Sequence, residues 1–137
     1  FEEAGNNIIN HCRRYNVRNG NIETNGIGAA IYQQVRKAGI KCSPFITTQD
    51  SKLVAVRALI QDIESQTLEL PSKQLFPHLY NELSAYTYRT SANGKLSFSH
   101  PNGFKDDCVD SLWLANQARN TNIGGAKGKL YIGRVTK

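Results

Sequence analysis

The residues best suited to chemistry in this chain are carboxylates clustered near position 108. The run Lys105-Asp106-Asp107-Cys108-Val109-Asp110 places three of them at the predicted start of a helix. Acids there complement the helix dipole, and Asp106 alone could serve as the N-cap. Asp107 and Asp110, however, share one helix face and repel each other, and crowded carboxylates become stable around a divalent cation. Helix capping and metal binding therefore both remain open for this cluster.

A second candidate is Glu23, which is predicted to end a strand just before a glycine turn into a helix. In open α/β sheets, functional groups collect at the carboxyl ends of strands. The simpler alternative is an exposed acid on an edge strand. The following Asn25-Gly26-Ile27-Gly28 lacks the glycine pattern and the Lys-Ser/Thr pair of a phosphate-binding loop. This segment is therefore not expected to hydrolyse ATP.

Hydrophobic periodicity predicts the elements that must position these acids. A helix over roughly 3–15 precedes a strand at 21–24, and apolar residues at 27, 31, 35 and 38 predict a helix ended by Gly39. A returning strand at 40–48 completes a βαβ unit. Alternation on either side of Asn93-Gly94 predicts a hairpin. The other predictions are a helix capped by Thr48 or Asp50 with an apolar stripe at positions 53, 56, 60 and 63, helices with apolar stripes at 75–86 and about 106–118, and a strand at 130–132.

The length is that of one domain, and the composition is that of a globular protein. With 137 residues, 39% hydrophobic and 20% charged, the chain is neither collagen-like nor fully disordered. No apolar run approaches the roughly 18 residues of a membrane span. Three widely spaced cysteines imply no disulfide framework, and neither they nor the histidines have zinc-ligand spacing. A reducing, cytoplasmic setting follows from this cysteine usage.

The positive charge is concentrated at the C-terminus. The net charge is +6, yet residues 1–118 hold 12 basic residues against all 11 acids. The last 19 residues contain no acid and five basic residues: Arg119, Lys127, Lys129, Arg134 and Lys137. A basic, glycine-containing segment suits a polyanion such as nucleic acid, and a solvated tail is the alternative.

The order of several short motifs resembles one known family. The motifs are Ile22-Glu23-Thr24-Asn25-Gly26-Ile27-Gly28, Pro44-Phe45 with Thr47-Thr48 and Ser51-Lys52, Leu68-Glu69-Leu70-Pro71, Asn81-Glu82-Leu83, and Asp106-Asp107-Cys108-Val109-Asp110-Ser111-Leu112. From about Ile8 to Ala118, this succession resembles the C-terminal nuclease domain of the large terminase subunit of tailed bacteriophages.

The resemblance implies a ribonuclease H-like fold, a mixed sheet flanked by helices. It also implies cleavage of double-stranded DNA by two Mg²⁺ or Mn²⁺ ions during viral genome packaging. The metal ligands would come from Glu23, Asp106, Asp107 and Asp110, of which Glu23, Asp107 and Asp110 are the expected catalytic set. Asp106 stays outside the catalytic set because it is also the expected N-cap of the helix. The expected DNA contacts are Lys105, Arg89 and Lys95 of the hairpin, and Lys127 and Lys129 of the tail.

The resemblance further implies partners: the terminase ATPase domain, the small terminase subunit and the portal, in the cytoplasm of a phage or prophage host. The family pattern begins with a strand bearing an Asp and two further strands, which have no counterpart here. We therefore expect residues 1–118 to be an N-terminally incomplete nuclease domain, followed by a basic segment at 119–137. On this expectation the chain alone binds metal weakly and cuts little.

Two other functions remain open at this point. One is a non-catalytic module that binds DNA or protein on the same scaffold, which the missing Asp would favour. The other is a different nuclease or a resolvase of the same superfold, because a fold alone does not fix the substrate.

Overall fold

The fold combines five helices with four short strands in residues 2–121, the part of the chain that the computed structural model describes. The elements in chain order are α1 (Glu2–Arg14), β1 (Asn21–Glu23), α2 (Gly28–Lys37), β2 (Ser43–Phe45), α3 (Gln49–Glu64), α4 (Pro77–Ala85), β3 (Thr87–Thr90), β4 (Leu96–Ser99) and α5 (Asp107–Thr121). The predicted mixed α/β class is confirmed. The strand predicted at 130–132 lies outside the described residues.

These elements divide into two compact units. The first unit comprises residues 2–47 and 117–121, and the second unit comprises residues 48–116. Helix α5 begins in the second unit, and its last five residues belong to the first. No helix in the described range is both long and apolar enough to cross a lipid bilayer.

The first unit contains the predicted βαβ arrangement. Strands β1 and β2 pair in parallel, with Ile22 opposite Pro44, and α2 connects them. The strand predicted at 40–48 is reduced to three residues. Pro44 has no N–H to donate to a ladder, and beyond Phe45 the pairing is continued by a side chain, that of Asn25.

Apolar side chains from α1 and α2 form the core of the first unit. Ile9 and Val35 are buried together with Cys42, and Ile31 packs against them. The predicted stripe on α2 was wrong at one end, since Ile27 precedes the helix and is 63% exposed. The backbone turn that leads into α2 is fixed by glycines, and burial of the Ile27 side chain plays no part in it.

Helix α3 opens the second unit with a capping box. The Thr48 hydroxyl accepts a hydrogen bond from the Ser51 N–H, and the Ser51 hydroxyl accepts one from the Thr48 N–H. Its buried positions are Ala55, Val56, Leu59 and Asp62. The predicted stripe was wrong at Ile60, which is exposed, because the helix turns Asp62 inward.

The inward turn of α3 satisfies a buried polar network. The Asp62 carboxylate accepts hydrogen bonds from the Asn116 side-chain amide and the Thr67 hydroxyl, both at 2.9 Å. Asn116 is fully buried, so its amide needs an internal partner. A polar contact therefore sets the rotation of α3 about its axis.

The predicted hairpin is confirmed. Strands β3 and β4 pair antiparallel, with Tyr88 opposite Phe98, and the Ser91 N–H donates to the Lys95 carbonyl at 2.8 Å to close the loop. Gly94 has φ +75°, a conformation that glycine adopts without steric cost.

Candidate metal and nucleic-acid site

Glu23 stands at the carboxyl end of β1, as predicted, and its side chain is exposed. Past it, the Thr24 N–H donates to the Phe45 carbonyl at 2.8 Å. The Asn25 side chain then pairs with the Thr47 backbone through two hydrogen bonds of 2.8 Å, donating to the carbonyl and accepting from the N–H. Asn25 thus extends the β1–β2 ladder with its amide and fixes the backbone that presents Glu23.

The two glycines after Asn25 have steric roles. Gly26 has φ +55°, and a Cβ placed on Gly28 would overlap the carbonyl oxygen of Glu23. Helix α2 can therefore begin directly against the end of β1 only with glycine at position 28. This explains the spacing Glu-x-Asn-Gly-x-Gly by chain geometry, without a bound phosphate.

The Glu23 carboxylate makes no hydrogen bond or ion pair with the other described residues of the first unit. It is therefore free to bind an external group from this strand end.

At the start of α5, two carboxylates converge on one ammonium group of α3. The Lys52 Nζ lies 3.0 Å from Asp110 Oδ1, 3.1 Å from Asp110 Oδ2 and 3.6 Å from Asp106 Oδ2. The three side chains are between 19% and 32% exposed, so the cluster is partly shielded from water. Partial shielding strengthens the attraction between these opposite charges.

Aromatic groups border this cluster, which we call the Lys52 cluster (Lys52, Asp106 and Asp110). The Trp113 indole N–H donates to Asp110 Oδ1 at 2.8 Å, and the Lys52 ammonium lies 5.7 Å from the centroid of the Tyr86 ring. His100 Nε2 lies 3.5 Å from Asp106 Oδ2. Trp113 is 1% exposed, so Asp110 is anchored to the core of the second unit.

These surroundings shift two pKa values. Burial acts to lower the pKa of Lys52, but the hydrogen bond and charge of Asp110 outweigh it and raise the pKa above its ordinary value. Burial raises the pKa of Tyr86 to about 12, an effect that the charge of Lys52 opposes and that of Asp110 reinforces. Lys52 is therefore charged and Tyr86 neutral at physiological pH.

The cap of α5 is Glu82, not Asp106 as predicted. Glu82 Oε2 accepts hydrogen bonds from the N–H groups of Cys108 and Val109, at 2.7 and 3.2 Å. These are amides of the first helical turn that have no partner within the helix. The Asp106 side chain instead faces Lys52 and His100.

Glu82→Ala is expected to lower the free energy of unfolding of the second unit by about 1–2 kcal/mol, the usual cost of losing a cap. Glu82→Gln, which keeps an acceptor oxygen, should cost less. Urea denaturation measures both. Glu64→Ala removes an exposed acid at the end of α3 and is the matched control. An equal loss in Glu82→Ala and Glu64→Ala would contradict the capping role.

Asp107 and Lys105 are both exposed. The Asp107 carboxylate makes no ion pair or hydrogen bond with the other described residues of the second unit. The structure therefore brings Asp110 together with Asp106, where the predicted pair was Asp107 with Asp110. The physical reason is the Lys52 ammonium, which attracts both Asp106, just before α5, and Asp110, in its first turn.

The predicted DNA contacts of the hairpin are exposed. Arg89 lies on β3, and Lys95 follows the turn, where its Nζ lies 3.1 Å from Asp50 Oδ1. Both partners of this pair are largely solvent-accessible, so it is weak and does not withdraw Lys95 from other anions. Lys127 and Lys129 lie outside the described residues.

The two carboxylates of the Lys52 cluster carry the oxygen donors that a hard cation requires. Carboxylate oxygens are the ligands that Mg²⁺ and Mn²⁺ prefer, and here two carboxylates already enclose a positive charge. Within residues 2–121, no three His, Cys, Asp or Glu side chains form a group arranged to hold a metal ion. The chemical fit of this cluster to a divalent cation therefore depends on the carboxylates of Asp106 and Asp110.

Sequence reasoning assigned no role to Lys52 or Glu82. Both stood within the motifs that carry the family resemblance, Ser51-Lys52 and Asn81-Glu82-Leu83. Their partners lie 58 and 26 residues away. The only signal in the sequence that could have pointed to Lys52 and Glu82 is that each is a lone charged residue within a short motif of uncharged residues.

Comparison with known proteins gives one family and one group of structures. Residues 1–118 match the family model described as the terminase RNaseH-like domain. The chain is similar to the large terminase nuclease from thermophilic phage G20c with bound cobalt, at 23% identity and a TM-score of 0.71, over 85% of this chain and 61% of that one. No curated protein gave a significant match.

Two further structures of the same phage G20c nuclease are similar. One has 21% identity and a TM-score of 0.69, with 85% of this chain and 61% of that chain covered. The other, with bound magnesium, has 26% identity and a TM-score of 0.56, with 69% and 49% covered. The predicted ribonuclease H-like fold is confirmed, and the chain spans about three-fifths of the length of the first two relatives.

Proposed function

The chain belongs to the terminase RNase H-like domain family, and we propose that it is part of an endonuclease that cuts double-stranded DNA during viral genome packaging. The observation that carries this proposal is the convergence of Asp106 and Asp110 on one positive charge. Exposed carboxylates at Glu23 and Asp107 provide further oxygen ligands. The phage G20c relatives with bound cobalt and magnesium support a divalent metal as the cofactor.

The proposed cofactor is two Mg²⁺ or Mn²⁺ ions, and the proposed ligands in the second unit are Asp106, Asp107 and Asp110. Glu23 of the first unit is proposed as a ligand from the family resemblance alone. Divalent cations at such a site lower the pKa of an attacking water and stabilise the leaving oxygen of a phosphodiester. Trp113 and Glu82 position these ligands. The Trp113 indole fixes the Asp110 carboxylate, and Glu82 fixes the first turn of α5.

The proposed DNA contacts are cationic side chains that bind phosphates without reading sequence. Arg89, Lys95 and Lys105 are exposed in the second unit, and Lys127 and Lys129 belong to the basic C-terminal segment. Binding through such contacts weakens steeply as salt concentration rises. The terminase ATPase domain, the small subunit and the portal are the proposed partners, in the host cell.

The test is cleavage of linear duplex DNA, in Mg²⁺ or Mn²⁺, by a large terminase subunit that carries this domain. Asp106→Asn, Asp107→Asn, Asp110→Asn and Glu23→Gln are each expected to slow cleavage by more than about tenfold, as loss of residues supporting a metal does. DNA binding in a shift assay should stay nearly unchanged.

Glu64→Gln, which neutralises an exposed acid at the end of α3, is the matched control and should cut normally. Cleavage that survives both the Glu23 and the Asp106 substitutions would overturn the proposed site. Metal-independent DNA binding without any cleavage by the unaltered protein would instead favour a non-catalytic binding module.

A further inference from the structure

We propose that Lys52 is a tethered counter-cation that occupies the position of a divalent metal ion between Asp106 and Asp110 and competes with it. This inference rests on the proposed function, because it concerns the same carboxylates. It adds a regulatory property: metal must displace the ammonium group of Lys52 before both carboxylates can serve as ligands.

The distances show that the Lys52 ammonium already occupies the point between the two carboxylates. Lys52 Nζ is within hydrogen-bond distance of both Asp110 oxygens and 3.6 Å from Asp106 Oδ2. Mg²⁺ binds oxygen at about 2.0–2.1 Å and demands an octahedral arrangement. A metal ion at that point would lie within bonding distance of Nζ and would meet its positive charge in a partly shielded environment.

The surroundings hold Lys52 in place when no metal is bound. Its ammonium group lies 5.7 Å from the centroid of the Tyr86 ring, and its partner Asp110 is fixed by the Trp113 indole. Without Lys52, the carboxylates of Asp106 and Asp110 would repel each other. Lys52 therefore stabilises the metal-free site and at the same time lowers its affinity for metal.

The test compares metal binding by the unaltered chain, Lys52→Gln and Lys73→Gln. Lys73 is exposed in the same unit, so its variant has the same change in net charge without touching the cluster. Mn²⁺ and Mg²⁺ are titrated by calorimetry. Mn²⁺ is also followed by quenching of Trp113, the sole tryptophan of the chain, which contacts Asp110 directly.

Lys52→Gln is expected to bind Mn²⁺ about fivefold or more tightly than the unaltered chain, within the range typical of coupled sites. Its melting temperature without metal should fall, and the rise on adding Mn²⁺ should be larger. Lys52→Arg, which restores a cation, should return affinity toward the original value. Lys52→Met keeps an unbranched side chain of similar length without the charge, and it replaces Lys52→Gln if that variant does not fold.

Each outcome either supports or contradicts the competition between Lys52 and the metal ion. Tighter binding by Lys52→Gln, or binding by that variant alone, supports the competition. Equal or weaker binding than the unaltered chain overturns it while leaving the metal site of the proposed function intact. Absence of binding in every variant overturns the competition, while the cleavage assay on the large terminase subunit tests the proposed metal site separately.

Discussion

Trp113→Ala is expected to lower the free energy of unfolding of the second unit by about 3–5 kcal/mol, the range for removing a large buried aromatic residue. Trp113 is 1% exposed, and its neighbours Val109 and Leu112 on α5 are buried as well. The substitution leaves a cavity in this core and removes the N–H donor of Asp110. Urea denaturation followed by circular dichroism measures the loss, since the tryptophan signal is absent from the variant.

Phe104→Ala is the matched control, because Phe104 is an aromatic residue of the same unit that is 53% exposed. It should cost less than about 1 kcal/mol. Trp113→Phe keeps most of the volume and separates the lost hydrogen bond from the cavity. Comparable stability of Trp113→Ala and Phe104→Ala would show that the second unit does not depend on this core.

Gly28→Ala is expected to destabilise the first unit by at least about 2 kcal/mol, the cost of inserting an atom into a packed site that cannot relax cheaply. The added Cβ would overlap the backbone carbonyl oxygen of Glu23, so the end of β1 or the start of α2 must move. The thermal unfolding midpoint of the first unit measures the effect.

Two other glycines of the same unit provide the comparison. Gly20→Ala meets open space and should be nearly neutral. Gly26→Ala meets no atom either, but its φ of +55° imposes a cost of about 1–2 kcal/mol. A loss in Gly28→Ala no greater than in Gly20→Ala would refute the close approach of α2 to Glu23.

Local structure was largely predictable because it depends on neighbours in sequence. The hairpin followed from alternation around Asn93-Gly94, and Thr48 was one of the two residues predicted to cap α3. The glycine that ends α2 has the positive φ expected of it, +82°. Each depends on contacts within a few residues, where side-chain type and backbone preference act directly.

Predictions were less successful where they depended on how a helix is rotated about its axis or on a contact with a residue distant in sequence. The buried face of α3 was wrong at Ile60, because the helix turns to bring Asp62 to Asn116, 54 residues further along. The cap of α5 was wrong for the same kind of reason. A local aspartate has the right chemistry for a cap, but Glu82 of α4 reaches the amides and leaves Asp106 to Lys52.

The sequence by itself determined the chemical inventory: a strand-end glutamate before a glycine turn, three aspartates at a helix start, and the family to which their order belongs. Only the tertiary structure decided which aspartates meet, because that depends on Lys52, 58 residues from Asp110. Helical spacing places Asp107 and Asp110 on one face, but electrostatic attraction to a single ammonium selects Asp106 and Asp110. Spacing along a chain sets where carboxylates can point, and the charges packed against them determine where they do.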